Sequence, residues 1–271
     1  MLTWLYESVI GRGILRLLTM PWISKAAGSF MDSRLSRPVI KPFIRSKGID
    51  ITEAADGDWQ SFNAFFTRPL KAEARPVVKD PEAFVSPCDG YLKACPIEDG
   101  VAITVKDVPY TIAELLRSDG LAKHFEGGTC LVFRLTPTDY HRYIYPDDGM
   151  QLYNRRIEGV LHTVQPVATE RTDVFVQNSR EYALLKTEHG GWMVMMEVGA
   201  LLVGRISNLN RSRHRFTRGE EKGWFDFGGS TIVILVEKGR LELSEEIKKA
   251  SALGEETRVL QGIKVGTIQS F

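Results

Sequence analysis

The hydrophobic pattern divides the chain into two regimes. Near the N-terminus Leu2, Leu5, Tyr6, Val9, Ile10, Ile14, Leu17 and Leu18 recur at helical spacing, while Thr3, Glu7, Ser8, Arg12 and Arg16 fall mostly on the other side. Ser46 to Asp58 has no apolar rhythm and reads as a polar connection. After it Trp59, Phe62, Phe65 and Phe66 predict a short helix capped at Asp58. Beyond Pro76 the period changes. Short β-like runs at 84–85, 91–95, 101–105, 130–135, 160–164, 174–176, 182–187, 192–197, 200–206, 232–236 and 263–265 are separated by Gly, Pro, Asp and Asn. Thr111 with Glu114 forms a capping box for a helix at 112–118. The order predicts an α+β chain: N-terminal amphipathic helices, then a mostly antiparallel β core with short helices. We expect a helical region over 1–58 and a β-rich domain over 59–271, with no repeats and no low-complexity segment.

Charge sharpens the first regime. The whole chain carries 35 basic and 34 acidic residues, which argues against a nucleic-acid binder by net field. Over residues 1–49, however, Arg12, Arg16, Lys25, Arg34, Arg37, Lys41, Arg45 and Lys47 face only Glu7 and Asp32. Trp4 and Trp22 lie near the two ends of the apolar pattern, and such amphipathic rings favour a membrane interface. No apolar run approaches the roughly 18 residues of a spanning helix, and Arg12 and Arg16 interrupt any signal-peptide core. The region therefore reads as lying on an anionic bilayer surface. The alternative is a helix packed on its own domain with a solvated basic face. The three cysteines, Cys88, Cys95 and Cys130, lack C-x-x-C spacing and point to a reducing compartment, with neither a disulfide framework nor a zinc site. These readings predict a peripheral protein on the cytoplasmic face of the cell membrane.

Candidate chemistry gathers at Gly228-Gly229-Ser230-Thr231. A charge-rich loop, Arg218 to Lys222, precedes it and the run Ile232 to Val236 follows. Gly229 offers a carbonyl without side-chain shielding, and Ser230 Oγ can attack that carbonyl if a base takes its proton. A turn before a strand is the plain alternative. Asp89, in Ser86-Pro87-Cys88-Asp89-Gly90, likewise reads as a turn residue or a catalytic acid.

Five segments together settle which alternatives to carry. FNAFFTRPLKAEARPV (62–77), SPCDG (86–90), TDYHRY (138–143), VGALLVGRI (198–206) and GGST (228–231) resemble the phosphatidylserine decarboxylase family in order and spacing. The resemblance implies a proenzyme that cuts itself between Gly229 and Ser230 into 1–229 and 230–271. The fragments would stay associated, and a homo-oligomer is compatible with the pattern. Ser230 would become a covalent pyruvoyl cofactor, whose ketone takes the place of a pyridoxal cofactor as electron sink. No metal is implied. The implied partners are a phospholipid substrate, converted from phosphatidylserine to phosphatidylethanolamine, and an anionic membrane. Some relatives act on soluble amino acids such as tryptophan, and the basic N-terminus favours a lipid instead.

The resemblance also implies an aspartate and a histidine for the cut, and Asp89 matches the first. The family's segment reads D-Y-H-x-x-H, its second histidine serving self-cleavage and its first the substrate. Here it reads Asp139-Tyr140-His141-Arg142-Tyr143-Ile144, so His141 matches the first and Ile144 stands where the second belongs. Three outcomes stay open: His141 does both jobs, another histidine fills the place, or the chain cuts poorly. His162, between Val160 and Val164 on one strand face, is the favoured substitute. His124, His189 and His214 sit in loop-like settings and are expected to be solvated. Two rivals remain. A hydrolase using Ser230 or Cys88 with His141 would lack the G-x-S-x-G elbow. A lipoyl-carrier-like module would lack a lysine in a methionine-flanked turn.

Overall fold

A computed structural model describes residues 21–55, 57–105, 108–159, 174–199, 205–227 and 230–269. The N-terminal apolar pattern over 2–18, the run 160–164, His162, residues 200–204 and both glycines of GGST lie outside them.

The order is helical first and β afterwards, so the fold is α+β. Helices α1 (Pro21–Asp32) and α2 (Arg37–Lys47) flank a 3-10 turn at Arg34–Ser36. The helix ends at Gly48, whose φ of 62° is the left-handed geometry that glycine adopts without strain. The short α3 (Phe62–Phe66) follows. Its cap is Ser61, which accepts from the Ala64 N–H at 3.1 Å. The predicted cap, Asp58, lies three residues before Ser61 and instead pairs, exposed, with Arg37 at 2.7 Å. Phe62, Phe65 and Phe66 are buried with Ile40 and pack on Met31, Phe43, Ile44, Trp59 and Phe227.

Sixteen strands are present among the described residues. They comprise β1 (Ala83–Val85), β2 (Gly90–Pro96), β3 (Val101–Val105), β4 (Val108–Thr111), β5 (Thr129–Leu135), β6 (Arg142–Ile144), β7 (Gly149–Ile157) and β8 (Arg180–Thr187). The second half comprises β9 (Trp192–Val198), β10 (Ile206–Asn208), β11 (His214–Phe216), β12 (Glu221–Phe225), β13 (Ser230–Val236), β14 (Leu241–Leu243), β15 (Thr257–Val259) and β16 (Lys264–Ile268). Eight of them form one antiparallel sheet, β11-β7-β8-β9-β13-β5-β2-β15. Strand β13 is central and entirely buried, which explains its unbroken apolar run. Ile232, Ile234 and Val236 face one core with Met193, Met195, Leu131 and Phe133. Val233 and Leu235 face the other with Val194, Met196 and Cys130. The first core is closed by the three-stranded sheets β10-β12-β6 and β1-β16-β14 and by α7 (Glu245–Ala252). The second is closed by the β3-β4 hairpin, α4 (Ile112–Leu116) and α5 (Asp119–His124).

The capping box forms as predicted, Thr111 Oγ1 accepting from the Glu114 N–H while Glu114 Oε2 accepts from Thr111. The run 174–176 is not a strand: Val174–Gln177 is a single helical turn, α6. A short apolar run suits either period, and here the buried Arg180 fixes the outcome. It takes the carbonyls of Val176 and Asn178 together with those of Leu115 and Glu114, so α4 and α6 share one cation at their ends.

Candidate active site

Ser230 opens strand β13 and is fully buried. Its Oγ has no hydrogen-bond partner among the described residues, which is costly for a hydroxyl unless chemistry uses it. The register places Ser230 opposite Leu135 and Ile232 opposite Phe133 and Glu197. Gly90 lies on the far side of Leu135. A Cβ there would sit 2.7 Å from the Arg134 carbonyl oxygen and 3.6 Å from Leu135 Cα, so only glycine lets β2 approach this closely. Asp89 therefore stands at the same end of the sheet as Ser230, about two strand spacings (roughly 10 Å) across.

Asp89 is 2% exposed and fully engaged. Arg75 grips it with Nε at 2.9 Å and Nη2 at 2.7 Å, and the Gln261 N–H donates to Oδ1 at 2.8 Å. The turn is pinned from behind: Ser86 Oγ donates to the Cys88 carbonyl, Gln261 Nε2 to Pro87, and the Ile144 N–H to Pro87. Ile144 thus reaches the aspartate turn with its backbone while its side chain packs with Ala83, Val85, Val77 and Val78. The place of the family's second histidine is a buried apolar packing position.

His141 is fully buried. Its Nδ1 lies 2.8 Å from the Asp139 carbonyl, which can only accept, so Nδ1 carries the proton and Nε2 keeps a lone pair. That Nε2 is buried and has no hydrogen-bond partner among the described residues. Burial, opposed by the nearby Asp139, holds the imidazole down at about 4, so the ring is neutral near pH 7. Its ring lies 4.0 Å from that of Phe66, which in turn lies 5.2 Å from Phe227, three residues before Ser230. Asn63 Oδ1 accepts from the Phe227 N–H at 3.1 Å, tying α3 to the segment that leads into Ser230. The structure thus brings Asp89, His141 and Ser230 to one end of the molecule. His162 lies outside the described residues.

A polar cluster that sequence reading overlooked shares the face of β13 that carries Ser230. Lys222 Nζ donates to Glu197 Oε1 at 2.8 Å and to Asn208 Oδ1 at 2.7 Å, with Lys222 and Glu197 both inaccessible to solvent. Glu197 is diagonal to Ser230 across the β9–β13 pair, within reach of a long side chain. Burial pushes its carboxyl up, and Lys222 and Asn208 oppose the shift. The signal was a lone carboxylate in the apolar run WMVMMEV, which must find a partner when buried. Arg75 and Arg68, both inside the stretch 62–77, were likewise missed.

Of the remaining histidines, His124 is exposed as expected and His189 and His214 are partly so, but all three are paired. His124 ends α5 and pairs with Glu237 at 2.7 Å, and His214 begins β11 and pairs with Glu220 at 2.6 Å. His189 pairs with Asp147 at 2.9 Å, and Asp148 stands near enough to complete a three-ligand cluster. Arg218 already lies 3.3 Å from the same Asp147 oxygen. Each of the three histidines thus has a carboxylate partner. Cys88 is buried and its thiol is pushed well up by burial, which leaves no thiolate for a cysteine hydrolase.

A sequence profile described as phosphatidylserine decarboxylase matches residues 62–266. The chain belongs to the phosphatidylserine decarboxylase family. It is 40% identical to phosphatidylserine decarboxylase proenzyme 2 of Clostridium acetobutylicum, over 98% of this chain and 91% of the relative. It is 39% identical to the proenzyme of Clostridium botulinum strain 657, over 98% and 92%, and 37% identical to that of Clostridium beijerinckii, over 97% and 91%. As a member of the phosphatidylserine decarboxylase family the chain is a carboxy-lyase, and the cofactor of such enzymes is a covalent pyruvoyl group. The residues present fit that group: a serine hydroxyl, buried and without a hydrogen-bond partner among the described residues, begins the central strand directly after two glycines.

Proposed function

We propose that this chain cuts itself between Gly229 and Ser230, turns Ser230 into a pyruvoyl group, and with it decarboxylates phosphatidylserine to phosphatidylethanolamine. The observation that carries the reading is the buried Ser230 hydroxyl at the head of β13, which has no hydrogen-bond partner among the described residues. Oγ attacks the Gly229 carbonyl, exchanging the amide for an ester. A base then takes the Ser230 α-proton and the ester is eliminated, leaving the Gly229 carboxylate and a dehydroalanine. Hydrolysis of the latter releases ammonia and leaves the ketone. Once formed, the pyruvoyl group supplies a ketone for the substrate amine and a sink for the electrons freed as CO2 leaves.

The chain's own residues divide the remaining work. Asp89, paired with Arg75, is the acidic member beside the cut. His141, neutral and lodged against Phe66, serves the substrate, its Nε2 lone pair accepting a proton or a hydrogen bond in a setting that favours loss of a carboxylate's charge. His162 takes the part of the missing histidine and activates Ser230. The catalytic unit is 59–271. Residues 1–58 hold the protein to an anionic membrane, peripherally and on the cytoplasmic face. Support comes from the exposed Phe30, Leu35 and Val39 beside the exposed cations Arg34, Arg37, Lys41 and Arg45. Among the described residues no helix is long and apolar enough to cross a bilayer.

Intact mass and gels of wild type and three variants test this. Wild type should give chains 1–229 and 230–271 that co-elute, the smaller blocked at its N-terminus, and Ser230→Ala should stay whole. His162→Ala should accumulate precursor by slowing the cut about 10²–10⁴-fold, while His141→Ala should cut and then decarboxylate poorly. A normal cut in His162→Ala with a stalled one in His141→Ala would transfer the cleavage role to His141. Uncut wild type with full activity would end the pyruvoyl reading.

A further inference from the structure

Arg68 is 5% exposed, and no described carboxylate pairs with it. Its Nη1 donates to the Phe65 carbonyl at 3.3 Å and its guanidinium lies 4.9 Å above the Phe65 ring, so one edge and one face are anchored. The other edge is open among the described residues: Nε is buried with no described partner, and Nη2 donates to no described group. The other buried or half-buried arginines do not leave the whole Nε–Nη2 edge open: Arg218 also has an unpaired Nε, but its Nη2 donates to the Pro81 carbonyl and to Asp147. Arg180 spends its donors on four carbonyls, Arg75 closes the same Nε–Nη2 edge on Asp89, and Arg134 closes it on Glu256. A buried cation with an empty fork is expensive unless a ligand fills it. Two parallel N–H donors in one plane match a carboxylate or phosphate oxygen pair.

The position of Arg68 names the ligand. It follows α3, whose Phe66 covers His141, and its charge acts on Tyr140, Glu53 and Asp89 and on His141. Next to it, Arg142 holds the Thr67 carbonyl at 2.7 Å, so the segment is fixed on β6. We propose that the Nε–Nη2 edge of Arg68 is the receptor for the phosphodiester of the substrate headgroup. The inference rests on the decarboxylase reading above. The substrate's carboxylate has the same fork chemistry, but a cation bound to it would stabilise the ground state whose charge must be lost, and so would slow the reaction. The phosphodiester keeps its charge throughout, so holding it there costs no rate and fixes the serine part beside His141 and residue 230.

Two measurements test the assignment separately from self-cleavage. In the first, Arg68→Gln is followed by gel for the cut and by kinetics on detergent-dispersed phosphatidylserine. The variant should cut as wild type does, raise KM about tenfold to a hundredfold, the range of a lost charge-assisted pair, and leave kcat within about threefold. An unchanged KM would overturn the proposal, and so would a fall in kcat at constant KM. In the second, the uncut Ser230→Ala chain is titrated with glycerophosphoethanolamine, which has the phosphodiester and no carboxylate, and with serine, which has the reverse. Arg68→Lys in that background keeps the charge and loses the fork. It should weaken glycerophosphoethanolamine by tenfold or more and leave serine unmoved. Loss of serine binding alone would assign Arg68 to the carboxylate, and no change in either would overturn the receptor. This arm decides the matter if Arg68→Gln fails to fold. Failure of wild type to cut would instead strike the decarboxylase reading.

Discussion

His141 shows how one side chain is set by its neighbours. The Asp139 carbonyl fixes the tautomer, Phe66 covers the ring, and burial holds the imidazole near 4, against an ordinary value of 6.5. The folded value is depressed, so the stability this site contributes is present above pH 6.5. It is lost as pH falls from 6.5 towards 4, because the unfolded chain takes up the proton first. The loss should amount to about 3 kcal/mol across that window. Urea denaturation of Ser230→Ala at pH 7.5, 6, 5 and 4, beside the same chain with His141→Gln, measures it. The difference between the two curves should shrink with falling pH and flatten below 4. Parallel curves would mean that the ring is not buried in its neutral form.

At the scale of elements, the buried Lys222–Glu197–Asn208 cluster clamps β12 and β10 of the small sheet onto β9 of the large one. Removing one member of such a pair leaves an uncompensated charge, at a cost of about 3–5 kcal/mol. Lys222→Met in the uncut Ser230→Ala chain should therefore lower the unfolding midpoint strongly. Adding Glu197→Leu should restore a good part, and a double variant as weak as the single one would deny the pairing. This clamp also marks where sequence reading stopped. Strand β13, the capping box at Thr111 and the aromatic turn after Trp59 were legible because each is written in consecutive residues. The strands β4, β6, β7, β11, β12, β14 and β15 were not, since runs such as GMQLYNRRI and EKGWF mix polar residues whose partners lie on other elements. Asp89, His141 and Ser230 were legible as motifs. The free fork of Arg68 was not, because an arginine's significance lies in which of its donors are already taken. The Val174–Gln177 turn was misread for the same reason: Arg180, not local propensity, decides it.

The whole molecule has a direction. Ser230, Asp89 and His141 lie at one end, and α1 to α3 are docked there through Phe62, Phe66, Phe227, the Asn63–Asp32 bond and the Asp32–Arg205 pair. The outer side of those helices carries Phe30, Leu35 and Val39 together with Arg34, Arg37, Lys41 and Arg45, all exposed. A lipid substrate leaves the bilayer only slightly if the site's entrance rests on it, so the helical region would both bind the surface and aim the entrance at it. Each cation near an anionic surface contributes on the order of 1 kcal/mol, and screening weakens that term within a Debye length. The full chain should co-sediment with vesicles containing phosphatidylserine, less so with neutral ones, and be partly released by salt. Replacing Arg34, Lys41 and Arg45 with Ala should weaken binding by about 3 kcal/mol in all. It should also flatten the salt dependence and leave activity on detergent-dispersed substrate intact. Removing residues 1–20 should weaken binding further through lost apolar contact. If both altered forms bind as the full chain does, these helices only support the active site and the membrane is met elsewhere on the surface.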